Sequence, residues 1–143
     1  MAQGLFQVGI LRHPLGSGLP DSDAYMVVGR APLQVDRIQS RISVEPKIDG
    51  SLPSEDAVKA LERAIRFKLS TDRNETRMLT VGEVPVCTFQ QLQGGPLVIQ
   101  PVRLNTGEEC KVKTTIHPNL YTAGILKDYP AVHLEILFYG QEA

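Results

Sequence analysis

The chain has 143 residues, 42% of them hydrophobic and 22% charged, with 15 basic side chains against 16 acidic ones. A chain of this length suffices for one domain with a proper core, and its near-zero net charge gives no global field towards nucleic acid or an anionic membrane. No apolar run approaches the ~20 residues that span a bilayer, the N-terminus lacks the basic start and small-residue cleavage site of a signal peptide, and two cysteines do not make a disulfide framework. These bounds predict a single domain over residues 1–143, in the cytoplasm or in a virion, with Cys87 and Cys110 as free thiols buried in a reducing compartment.

Taken in chain order, Phe6–Ile10 alternates apolar with small or polar residues, as a half-buried strand does, and stops at His13-Pro14. Residues 14–23 are rich in Gly, Ser and Pro and predict a flexible loop or arm. Tyr25–Val28 reads as a second strand ended by Gly29. A clean period of two follows: Ile38, Ser40, Ile42 and Val44 face one way, Arg37, Gln39 and Arg41 the other, until Pro46 and the Asp49-Gly50 turn.

The spacing of Val58, Leu61, Ile65 and Leu69 predicts one long amphipathic helix over about 54–69. Ser54 supplies its N-cap, Glu55 and Asp56 its acidic first turn, and Glu62 to Arg66 an i,i+4 pair. Strands resume at Met78–Val81 and Val84–Phe89, flanking a Gly82-Glu83 hairpin turn, with Pro85 marking a sheet edge. Leu97–Val102 and Cys110–Ile116 flank a longer hairpin loop at Asn105–Glu108. The last strand, Ala131–Tyr139, puts Val132, Leu134, Ile136 and Phe138 on one face and His133, Glu135, Leu137 and Tyr139 on the other. The expected fold class is therefore α+β, mainly antiparallel β as a sheet, sandwich or barrel, with the one helix packed across it.

The residues offer no constellation that stands out as chemistry. Cys110, His117 and Glu108 or Glu109 lie close in sequence, but residues seven apart on a strand are roughly 23 Å apart and on opposite faces. His117 and His133 could meet across paired strands, yet two imidazoles fall short of the three protein ligands typical of a catalytic zinc. Gly16-Ser17-Gly18 lacks the lysine and helix N-terminus of a phosphate loop, and Asp21-Ser22-Asp23 is far short of a calcium loop. No residue is assigned to catalysis, a cofactor or a metal.

A basic patch of Lys59, Arg63, Arg66, Lys111 and Lys113 could hold a phosphate backbone, but it lacks interleaved aromatic platforms, and acids on the same helix balance it. Two surfaces mix apolar and polar residues as interface cores with polar rims do: Phe67 on the helix, and Leu137 with Tyr139 on the last strand. The first-ranked expectation is thus a non-enzymatic structural or assembly subunit of a homo-oligomer, including a component of a viral or phage particle, with Phe67, Leu137 and Tyr139 as candidate subunit contacts. A small enzyme or ligand-binding β-barrel built from scattered residues ranks second, and a nucleic-acid binder using the basic helix face third.

Overall fold

The computed structural model describes residues 6–15, 21–29, 31–90 and 95–142. Among the described residues eight strands carry the fold: β1 (Gln7–Pro14), β2 (Asp21–Val27), β3 (Leu33–Val44), β4 (Arg66–Ser70), β5 (Val84–Pro85), β6 (Leu97–Leu104), β7 (Glu109–Thr115) and β8 (Val132–Glu142). Two helices join them, α1 (Glu55–Ala64) between β3 and β4 and a single turn, α2 (Ile125–Asp128), before β8.

The strands form two four-stranded antiparallel sheets, ordered β1-β8-β3-β6 and β2-β7-β4-β5. The pairings β1 with β8, β2 with β7, β3 with β6 and β4 with β5 are those of one long two-stranded ribbon, the first half of the chain running against the second. Rolling that ribbon brings β8 against β3 and β7 against β4. A rolled ribbon of eight strands in two sheets is the jelly-roll arrangement. Its geometry sends the β1–β2, β3–β4, β5–β6 and β7–β8 connections to one end, where Leu15 N–H donates to Val132 O at 2.8 Å and Glu45 N–H to Ala131 O at 2.9 Å. The other connections meet at the opposite end, where Val28 N–H donates to Glu108 O at 2.9 Å.

Inward rows follow the period of two. Ile38, Ser40 and Ile42 from β3, Leu134, Ile136 and Phe138 from β8, Cys110, Val112 and Thr114 from β7, and Phe67 and Leu69 from β4 are all buried. The apolar members of these rows form one core cluster with Leu61 and Ile65, so the space between the sheets is filled by side chains. Gly140 sits opposite Val35, beside an irregularity in the β3–β8 register. A Cβ there would collide with the Gln34 carbonyl, which is why only glycine fits.

Several sequence expectations need correction. The helix ends at Ala64, not near residue 69: Ile65 is already extended (φ −84°, ψ 134°), and residues 66–70 are β4. Ile65, Phe67 and Leu69 are apolar at a spacing of two as well as contributing to a helical stripe, and pairing with β7 decides between the two periods. Met78–Val81 is not a strand but makes one bridge, from Met78 to Ser70, and Val84–Pro85 pairs with β4 rather than with its expected hairpin partner. Val86–Phe89 is a 3-10 turn. β6 and β7 are not hairpin partners, since β6 pairs with β3 in one sheet and β7 with β2 and β4 in the other. Of the expected loop at 14–23, Pro14 belongs to β1 and residues 21–23 to β2, while 16–20 lie outside the described residues. No helix among the described residues is long and apolar enough to cross a membrane.

Candidate functional site

Phe67 is not a surface residue. It is fully enclosed, on the inward face of β4, with its ring 6.1 Å from that of Phe89. Leu137 lies on the outer face of the β1-β8-β3-β6 sheet but is only 3% exposed, because β8 is an inner strand and Leu137 stands between Ile10 and Gln39 in the ladder. Tyr139, half-buried beside it, donates its hydroxyl to Gln39 Oε1 at 3.3 Å. The same face carries Glu135, 6% exposed, gripped by Arg12 Nε at 3.0 Å and Arg41 Nε at 2.9 Å. The long arginine stems lie in rows flanking β8 and shield it.

The predicted basic patch divides. Lys59 and Arg63 are exposed on α1, while Arg66, Lys111 and Lys113 share the outer face of the β2-β7-β4-β5 sheet. That face is not a continuous cationic track. Lys111 Nζ lies 3.2 Å from Glu75 and 4.0 Å from Asp23, Glu83 accepts from Thr115 Oγ1 at 2.9 Å, and Glu109 faces Arg73 at 3.5 Å. Arg73 stacks over Tyr25 at 5.2 Å.

The structure does not bring Cys110 and His117 together: Cys110 is buried on the inward face of β7, whereas His117 is exposed beyond the strand and accepts the Asn119 N–H at 3.2 Å. Burial pushes the Cys110 thiol up to about 12, which makes it an inert core residue. His133 pairs in register with Ser43 and Pro14, away from His117. Among the described residues no group of three or more His, Cys, Asp and Glu is placed to hold a metal ion.

Two features escaped the sequence reading. The first is the loop after β3. Lys47 N–H donates to Ser51 O at 3.0 Å and Gly50 N–H to Lys47 O at 2.8 Å, with Gly50 at φ +84°. Asp49 Oδ1 accepts from Ser51 N–H at 2.9 Å and from Ser51 Oγ at 2.7 Å, which holds its carboxyl below the usual carboxylate range. This tight turn holds Ile48 wholly in solvent, at 108% relative exposure, with Leu52 following at 62%. Beside Ile48 a concavity of about 560 Å³ is lined by Lys47, Asp49, Lys127, Asp128, Tyr129 and Pro130. Lys47 Nζ sits 4.9 Å over the Tyr129 ring.

The second is His13. It is 4% exposed, inside the sandwich, with Nε2 2.7 Å from Ser22 Oγ and 3.1 Å from Thr114 Oγ1, and the two hydroxyls are 3.0 Å apart. Its Nδ1 is buried with no hydrogen-bond partner among the described residues. A serine at 2.7 Å from an imidazole has the spacing of a nucleophile and base, but the second ring nitrogen lacks the acceptor that would orient it. The signal was present in the sequence: Leu11, His13 and Leu15 alternate into the inward row of β1. Comparison with known proteins finds no family model, no curated protein and no solved structure that matches this chain.

Proposed function

We propose that this chain is a non-catalytic building block that associates with further copies of itself, and that the Ile48 loop is its contact. The observation that carries this reading is the Ile48 turn. A large apolar side chain, fully exposed at the tip of a hydrogen-bonded loop, is held out rather than left out. The surface beside it pairs an apolar floor, Tyr129 and Pro130, with two lysines and two aspartates: Lys47, Lys127, Asp49 and Asp128. A patch with equal numbers of each sign can meet its own image across a two-fold axis, lysine to aspartate in both directions. That balance favours a second copy over a strongly charged partner.

The jelly roll supports this by analogy alone. The arrangement serves capsid proteins, lectins and cupins alike. A capsid-like particle component is the narrower form of the proposal. The packed space between the sheets favours assembly over a barrel that encloses a ligand.

Multi-angle light scattering across a concentration series tests it. The wild type should form a defined oligomer, and Ile48→Asp, which removes no core contact, should shift it to monomer with its circular dichroism unchanged. A wild type that stays monomeric at high micromolar concentration would sink the reading.

A further inference from the structure

We propose that His13 is an acid-sensitive clasp between the two sheets, and that protonation of its ring loosens β1 from β2 and β7. The proposal stands apart from the assembly reading. His13 projects from β1 of one sheet to Ser22 on β2 and Thr114 on β7 of the other. Thr114 is itself fully buried and also donates to Ser22 O at 3.3 Å. One imidazole thus ties three strands, two of them across the core.

The clasp fits a neutral ring. Nε2–H can donate to either hydroxyl, and the hydroxyls pass the hydrogen bond between themselves. Nδ1 then remains a bare acceptor, the cheaper of the two orphan states. Protonation converts it into a charged N–H that no acceptor among the described residues receives, in a buried site, and the Ser22 backbone carbonyl, which favours the charged ring, offsets only part of that cost.

The charged and titratable groups felt by the ring among the described residues are Asp23 on β2, which favours protonation, and His133 on β8, which opposes it. The nearest charges on β7, Lys111 and Lys113, lie on the opposite face of that strand from Thr114. Arg12, next to His13 on β1, points to the other side of its sheet and is held by Glu135. Burial is the largest influence and holds the imidazole below its ordinary value of 6.5. A group held down in the folded state binds fewer protons there than in the unfolded chain. Its contribution is complete above about 6.5 and is lost as pH falls towards the folded-state value.

Hydrogen exchange followed by NMR, with the ring protons of His13 titrated in the same unmodified protein, reads both halves. After correction for the intrinsic rates, amides of 10–13 and 22–24 should exchange at least about 10-fold faster relative to β3 at pH 5 than at pH 7. The His13 ring should titrate below 6.5. His13→Gln, whose amide nitrogen can take the place of Nε2 but carries no charge, should abolish the acid response, and His133→Gln should retain it. A His13 ring that titrates at or above 6.5, amides of 10–13 and 22–24 whose exchange ignores pH, or a His13→Gln variant with the wild-type acid response would each overturn the proposal. The ring titration needs no variant to fold.

Discussion

Glu62 separates the two readings of α1 most sharply. As a solvated helix residue paired with Arg66, it would be worth a few tenths of a kcal/mol. In the fold it turns inward and is 6% exposed, and Arg66 has left the helix for β4. The Glu62 carboxylate accepts the Ile42 N–H at 2.9 Å and Gln90 Nε2 at 3.0 Å. Its place follows from the sheet: β6 pairs with β3 only as far as Ile38, opposite Leu97, so the N–H of Ile42 extends beyond the ladder and needs another acceptor. Glu62→Ala leaves that buried donor and the Gln90 amide short of a partner. Hydrogen bonds to a charged acceptor contribute about 1.5–3 kcal/mol and an orphaned buried donor costs about 1–3 kcal/mol, two descriptions of the same loss, so the expected destabilisation is about 2–3 kcal/mol. For a chain of this size that lowers Tm by about 6–10 °C. Glu62→Gln keeps an acceptor oxygen and should cost about 1 kcal/mol or less. Urea unfolding of the three proteins reads the difference directly. A loss below about 0.5 kcal/mol for Glu62→Ala, the value of an ordinary surface change, would refute the edge-capping role.

Phe67→Ala should cost about 3–5 kcal/mol in denaturant unfolding, because the side chain is fully buried against Phe89; a loss below about 1 kcal/mol would return it to the surface. Cys87 is partly exposed and Cys110 is buried with its thiol raised to about 12. One thiol per chain should therefore react under native conditions and two after unfolding, with no mass deficit of two hydrogens in the unreduced protein.

What was legible was local. The alternation of Ile38, Ser40 and Ile42 placed β3 correctly because each residue's face follows from its neighbours alone. Ser54 marked the start of α1 for the same reason, since its Oγ accepts the Ala57 N–H at 3.2 Å within one turn. The end of α1 was not local. Ile65–Leu69 satisfies a helical stripe and an alternating strand together, and pairing with β5 and, more than forty residues on, with β7 chooses between them. The Asn105–Glu108 connection reads as a hairpin because its turn is a tight one, with Glu108 N–H donating to Asn105 O at 3.1 Å, but the strands it joins belong to different sheets. His13 shows the same limit. Its inward face could be read from Leu11 and Leu15, whereas Ser22 and Thr114 reach it only through the roll of the ribbon.

The candidate interface moved for a related reason. Apolar residues on both faces of β8 suggested a partner on the second face, since a wet strand face has little use for leucine and tyrosine together. That inference takes the strand to be alone. β8 is flanked by β1 and β3, and Leu137 is covered within its own sheet, so its burial is already complete without a second copy. Leu137→Asp would therefore report on the stability of the fold before it reported on association. Among the described residues Ile48 and Val81 are the large apolar side chains left most exposed, and Ile48 is kept uncovered by Asp49 and Gly50, which bring the backbone back to Ser51 and leave the side chain outside. An apolar side chain that its own sheet already encloses says little about partners. One that a turn holds in water, beside the apolar surfaces of Tyr129 and Pro130, is what the proposed association rests on.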